Sequence, residues 1–186
     1  MVTLYIHGFA SCGLGAKARA FRDYYASKNK KIFAPSLSYN PNLAIDTLEQ
    51  FIKLHNKEVN LIGSSLGGYY ATYLANKYDL KAVLINPAVK STKLLKESIG
   101  MQVNYCDLSK FEWNEIHVNE LKKYDVKEPK KENFFLLLQK GDEVLDYKDA
   151  LEKFNGAKIA LEEGGNHSFE GIERYFEEIE EFFSRK

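Results

Sequence analysis

Residues 59–78 read VNLIGSSLGGYYATYLANKY, and the reading of residues 63–67 inside that stretch decides the fold. Val59–Ile62 is a short apolar run of the kind that forms a buried strand, and Leu66–Tyr78 carries a helical pattern. Between them, Gly63-Ser64-Ser65-Leu66-Gly67 matches G-x-S-x-G. In a strand–turn–helix setting the central residue of that pattern sits on a strained turn with its side chain projecting free. The residues two before and two after it must therefore be small. Ser65 meets the requirement with Gly63 and Gly67, whereas Ser64 would be flanked by Ile62 and Leu66. Ser65 is the candidate nucleophile and Ser64 a turn residue.

Working outward, further apolar runs are predicted as strands at Val2–His7, Ile32–Pro35, Lys81–Asn86, Asn133–Gln139 and Ala157–Glu162. Continuous runs such as Phe134-Phe135-Leu136-Leu137-Leu138 suit parallel strands covered on both faces. Helical patterns lie between them. Leu48, Phe51, Ile52 and His55 share one face, and Ile172, Tyr175, Phe176, Ile179, Phe182 and Phe183 form a wide apolar stripe. This alternation predicts right-handed βαβ units around an open parallel sheet. From Ala88 to about Glu132 the rhythm breaks, with no convincing strand. The expectation there is a small helical cap above the C-terminal edge of the sheet, within a single domain spanning residues 1–186.

Composition narrows the function classes. Lys+Arg and Asp+Glu both total 26 in 186 residues, so there is no broad basic field for nucleic acid or an anionic membrane surface. Lys28–Lys31 and Lys127–Lys131 read as solvated loop edges. No apolar run approaches the ~20 residues of a membrane helix. The chain opens on the alternation Val2-Thr3-Leu4-Tyr5-Ile6 without a basic leader, so no secretory signal is expected. Cys12 and Cys106 suggest neither a disulfide framework nor a zinc spacing, which predicts reduced thiols in a cytoplasmic protein. Neither a metal nor a cofactor is expected.

A nucleophilic serine needs a base, a group that orients the base, and donors for the oxyanion. Of four histidines, only His117 and His167 follow Ser65, as the chain order of this architecture demands. His167 lies in Gly164-Gly165-Asn166-His167-Ser168-Phe169, a loop after the last strand, where such sites assemble. His117 falls in the irregular insertion and reads as a cap residue, while His55 reads as helix packing. For the acid, Asp142 follows a strand and a glycine turn in Lys140-Gly141-Asp142-Glu143-Val144-Leu145-Asp146. Asp146 is its competitor, and Glu143 reads as a solvated neighbour. The oxyanion donors are assigned to the backbone N–H groups of Leu66 and, in the loop His7-Gly8-Phe9, of Phe9. His7 then holds that loop by hydrogen bonds. Tyr69, Tyr70, Phe9, Trp113 and Phe169 are candidates for an apolar acyl pocket.

The segments HGFAS, LIGSSLGGYYATYLA, LINPAV, LLQKGDEVLDY and EEGGNHSFEG, in that order, resemble the YqiA-like esterases, a group of small bacterial α/β-hydrolases. The likeness covers nearly the whole chain and is weakest from about Ser91 to Glu132. It implies a minimal α/β-hydrolase fold that starts at the third strand of the usual sheet, leaving about six mostly parallel strands with helices on both faces. It also implies hydrolysis of small-molecule acyl esters, thioesters included, with the family's nucleophile, acid and histidine falling on Ser65, Asp142 and His167. Two other classes compete. Gly13-Leu14-Gly15-Ala16-Lys17-Ala18 matches G-x-G-x-x-A, but its first glycine lies beyond the strand end. No acid stands about 20 residues on, where a dinucleotide fingerprint needs one. The third reading keeps the fold as a binding module without catalysis.

Overall fold

The computed structural model describes residues 1–185. Its centre is a six-stranded, wholly parallel sheet of β1 (Val2–Ile6), β2 (Ile32–Phe33), β3 (Val59–Ser64), β4 (Ala82–Ile85), β7 (Phe134–Gln139) and β8 (Lys158–Glu162). The spatial order is β2-β1-β3-β4-β7-β8. Register runs Ile6 opposite Gly63, Ser64 opposite Ile85, Ile85 opposite Leu137 and Gln139 opposite Glu162. Between β4 and β7 lies an insertion holding α4 (Ser91–Lys96), β5 (Gly100–Val103), β6 (Lys110–Trp113) and α5 (Glu115–Leu121).

The two-residue period of a strand sorts its side chains into two cores. Leu4, Ile6, Leu61, Leu84, Leu136 and Leu138 face α2 (Pro41–Leu54), α3 (Leu66–Tyr78) and α6 (Tyr147–Lys153), meeting Leu48, Ile52, Leu74 and Ala150. Tyr5, Ile62, Val83, Ile85, Phe135 and Leu137 face α1 (Ala16–Ser27) and α7 (Phe176–Ser184), where Phe21, Tyr25, Ile179 and Phe182 wait. Covering on both sides is why these strands read as unbroken apolar runs. Each such buried side chain contributes about 1.5–3 kcal/mol relative to exposure.

The strands agree with expectation to within a residue at most ends, the tolerance to which such boundaries are defined. β2 is shorter than predicted. Pro35 has no N–H to give to a ladder, and the Ala34 carbonyl is taken by Arg22 Nη2 at 2.9 Å. The insertion departs further. It was expected to hold no strand, yet β5 and β6 pair antiparallel with Gly100 opposite Trp113 and Val103 opposite Lys110. The alternation in Lys110-Phe111-Glu112-Trp113, with Phe111 and Trp113 turned inward, lasts only four residues and cannot declare itself against the mixed residues around it.

The cysteines overturn a second expectation. Cys12 and Cys106 form a disulfide across 94 residues of chain. Their spacing gives no hint of it because the contact is tertiary. The β5–β6 turn docks on the loop after β1, with Tyr105 N donating to Ala10 O at 2.8 Å and Asn104 Nδ2 to Ser11 O at 3.3 Å. The thiol argument for a cytoplasmic location lapses with it. Among the described residues no helix is long and apolar enough to cross a membrane.

Candidate active site

β1 connects to β2 on one side of the sheet, and β3 resumes on the other side of β1. A crevice opens at such a reversal, outside the C-terminal ends of the strands. Ser65 stands there between β3 and α3, in a left-handed conformation with φ 55° and ψ −120°. The strain turns its side chain out of the sheet, and neighbouring glycines make the bend possible. A Cβ on Gly67 would lie 2.0 Å from Ile6 O, and one on Gly63 would lie 2.4 Å from Gly67 O. Both neighbours are backbone and cannot swing away. Gly67→Ala is therefore expected to cost at least about 3 kcal/mol, read as a lowered urea midpoint at unchanged slope.

His167 comes from the loop after β8, and its Nε2 lies 3.0 Å from Ser65 Oγ. Its Nδ1 lies 2.9 and 3.0 Å from the two carboxylate oxygens of Asp142, on the loop after β7. Asp142 Oδ1 also accepts the Val144 and Leu145 amides at 2.9 and 2.8 Å. Burial alone would raise this carboxyl's pKa, but the bonds from His167 and the two amides outweigh it and hold it below the usual range. Asp146 is elsewhere, as the N-cap of α6 that accepts Lys148 N at 3.0 Å. Glu143 is more than a solvated neighbour, since its Oε2 accepts the His167 N–H at 2.9 Å.

Two side chains that sequence reading passed over hold the histidine loop. Asn86, at the end of β4, accepts Gln139 N on its Oδ1 and donates from Nδ2 to the carbonyls of Asn166 and His167 at 3.0 and 3.3 Å. Gln139, the last residue of β7, accepts Asn166 N and Glu170 N at 3.1 and 2.9 Å. Both amides are buried, where an unpaired polar group is costly, so each bond restricts the loop. Their only sequence signal is a polar residue closing an apolar strand, in LINP and LLLQK.

On the opposite wall the loop after β1 approaches the serine closely. A Cβ on Gly8 would lie 3.2 Å from Ser65 Cβ. His7 holds this loop: its Nδ1 pairs with Gly8 O at 2.8 Å and its Nε2 accepts Leu37 N at 2.9 Å. Burial lowers the pKa of His7 against a smaller opposing effect of the Gly8 carbonyl, which keeps the ring neutral and able to accept. His117 is buried in the cap, capping α5 through Asn114 and stacking on Trp113. His55 ends α2, its Nδ1 paired with Phe51 O at 2.9 Å.

A cavity of about 640 Å³ opens over Ser65, with Phe9, Leu66, Leu94, His167 and Phe169 in its walls. Of the five side chains put forward for the pocket, Phe9 and Phe169 line it, while Tyr69, Tyr70 and Trp113 are buried away from it. Tyr69 is buried under the cap with its hydroxyl donating to Leu121 O at 2.8 Å, and it faces a separate cavity beside Val89 and Lys93. Trp113 is fully buried and donates from Nε1 to Leu95 O at 2.8 Å. It meets Phe9 edge-on from behind at 5.0 Å. The largest apolar side chain of the insertion is spent on joining the cap to the body. Gly13, from the G-x-G-x-x-A pattern, is explained by packing, because a Cβ there would lie 2.0 Å from Ala34 O. Among the described residues no three His, Cys, Asp or Glu side chains are grouped as metal ligands.

A family model described as "Uncharacterised protein family (UPF0227)" matches residues 2–184. The chain belongs to the UPF0227 family. The YqiA-like resemblance carried by the motifs falls within the same grouping. A UPF0227 protein of Citrobacter koseri is 21% identical over 184 residues, covering 96% of this chain and 97% of that one. The UPF0227 protein YcfP of Salmonella paratyphi A is 23% identical over 186 residues, with coverage of 96% and 97%. Among solved structures, a putative hydrolase of Agrobacterium vitis S4 superposes with a TM-score of 0.79 at 17% identity, over 98% of this chain and 88% of that one. A monoacylglycerol lipase of Paleococcus ferrophilus gives 0.74 at 15% identity, over 98% and 94%. Est1E of Butyrivibrio proteoclasticus, solved with ferulic acid bound, gives 0.71 at 12% identity, over 97% and 87%. At these identities the likeness establishes the α/β-hydrolase fold for this UPF0227 member.

Proposed function

We propose that the chain is a serine hydrolase of small-molecule acyl esters, with Ser65 as nucleophile, His167 as general base and acid, and Asp142 as the orienting acid. The observation that carries the reading is the unbroken hydrogen-bonded line from Ser65 Oγ through His167 to Asp142, at 3.0 and 2.9 Å, facing an open cavity. The esterase and lipase among the fold neighbours support it by analogy.

In this mechanism Ser65 Oγ attacks the ester carbonyl as its proton passes to His167 Nε2. The imidazolium is stabilised through Nδ1–H by Asp142, which stays ionised because its bonds hold its pKa low. The developing oxyanion is received by two backbone amides. Leu66 N–H, in the first turn of α3, has no carbonyl one turn back to bind. Phe9 N–H follows Gly8, which approaches Ser65 closely enough to bring that amide near the reacting centre. His167 returns its proton to the leaving alkoxide, or to the leaving thiolate of a thioester. Water, deprotonated by the same ring, then releases the acid from the acyl-enzyme.

A fluorophosphonate reagent tests the reading. Folded wild-type protein is expected to gain one adduct, located by peptide mass on Ser65. Absence of label on that peptide, with the fold intact, sinks the proposal.

A further inference from the structure

Lys17, on the first turn of α1, forms part of the wall of the cavity over Ser65. Its Nζ donates to Ser168 O at 2.6 Å, one residue beyond His167. That carbonyl is neutral and occupies one of the ammonium's three donors. Among the described residues no carboxylate lies within salt-bridge distance of Lys17. Two acids are in its surroundings. Asp142 is engaged by His167 and by the Val144 and Leu145 amides, and Glu173 is an exposed residue of the cavity wall. Burial lowers the Lys17 pKa to about 8 against a smaller opposing pull from Asp142, so the ammonium is poorly hydrated yet mostly charged at neutral pH. A half-buried cation without a counter-charge is costly unless something else supplies the charge. The hydroxyls of Ser11 and Ser98 in the same cavity offer further donors to an anion.

We infer that Lys17 is a specificity-determining residue, binding a carboxylate carried by the substrate within a few atoms of the carbonyl that Ser65 attacks. The inference rests on the hydrolase reading and names its substrate class as esters bearing a free carboxylate. Lys17 lies on the histidine's side of the cavity, since Ser168 and His167 are adjacent and their Cα atoms sit ~3.8 Å apart. The rest of the wall, with Phe9, Leu94 and Phe169, accepts the apolar remainder of such a molecule.

The test is a ratio. Specificity constants are measured for two matched pairs, a monoaryl glutarate against the aryl pentanoate, and an aryl acetate with and without a carboxylate on the alcohol side. Wild-type protein is expected to prefer the anionic member of one pair. Lys17→Gln is expected to shrink that preference by about 10- to 100-fold, the range for a charged hydrogen bond lost from a partly buried site. Lys17→Arg, which keeps the charge, is expected to restore most of it. Because both members of a pair are measured on one sample, the ratio does not depend on how much of a variant folds. A purely structural role in holding Ser168 would lower both rates together and leave the ratio unmoved. That result, or the lack of any preference in wild type, overturns the assignment. Binding of the same esters to Ser65→Ala protein reads the ratio without turnover. Failure of the hydrolase reading thus shows as no hydrolysis of any ester, and failure of the Lys17 inference as equal binding.

Discussion

Ser65→Ala protein is expected to hydrolyse short-chain aryl esters with kcat lowered by about 10⁶-fold, while unfolding at nearly the wild-type denaturant midpoint. The size follows from the way a nucleophile and its base act as a unit. Losing the nucleophile removes the covalent route, and what remains comes from the oxyanion donors and substrate binding. Stability is spared because the side chain is a small one whose hydroxyl meets only the partly exposed His167. Backbone strain at φ 55° is present with either residue, so the elbow itself is not relieved. Equal rates for wild type and variant would assign the measured hydrolysis to another group and favour a binding module on this fold. Steady-state kinetics with matched unfolding curves decides between these outcomes.

Asp142→Asn is expected to lower kcat by about 10⁴-fold, with Asp146→Asn leaving kcat near wild type. The carboxylate accepts the Nδ1 proton and so leaves Nε2 unprotonated toward Ser65. An asparagine can instead turn its amide N–H toward Nδ1, which favours the tautomer with the proton on Nε2 and removes the base. Asp146 makes no such contact. Its replacement is expected to cost about 1 kcal/mol or less through the weakened cap on α6. Reversal of the two kinetic effects would move the acid to Asp146. A pH effect accompanies the first. The Asp142 carboxyl titrates below its unfolded value, so its contribution to stability is present above the ordinary carboxylate pKa and fades as pH falls through the folded value. The stability difference between wild type and Asp142→Asn should therefore narrow in acid.

Much of this was legible without coordinates because the constraints are local. The small-residue requirement around Ser65 separates it from Ser64 through five consecutive residues. β3 and β7 declare themselves as unbroken apolar runs because helices cover both faces of the sheet. Asp142 and His167 were selected by position, each following a strand, and the geometry brings Asp142 to His167 and His167 to Ser65. The pocket was legible only in part. Phe169, Tyr69 and Trp113 are all large and apolar, and nothing in the chain says which face of the cap or body each will take. The hairpin was missed because four-residue strands leave too short a period. Asn86 and Gln139 were missed because their partners lie 80 and 27 residues away.

By itself the sequence determined the parallel sheet, the elbow at Ser65 and the order of the serine, acid and histidine. All of these follow from patterns within a few residues or from the order of elements along the chain. The tertiary structure alone decided the rest: that Asp142 and not Asp146 reaches His167, that Cys12 meets Cys106, that Trp113 is buried behind Phe9, and that Lys17 enters the cavity. Each of those is a contact between segments far apart in sequence, set by how the helices and the insertion pack on the sheet. Periodicity within one segment carries no information about which distant segment it will touch.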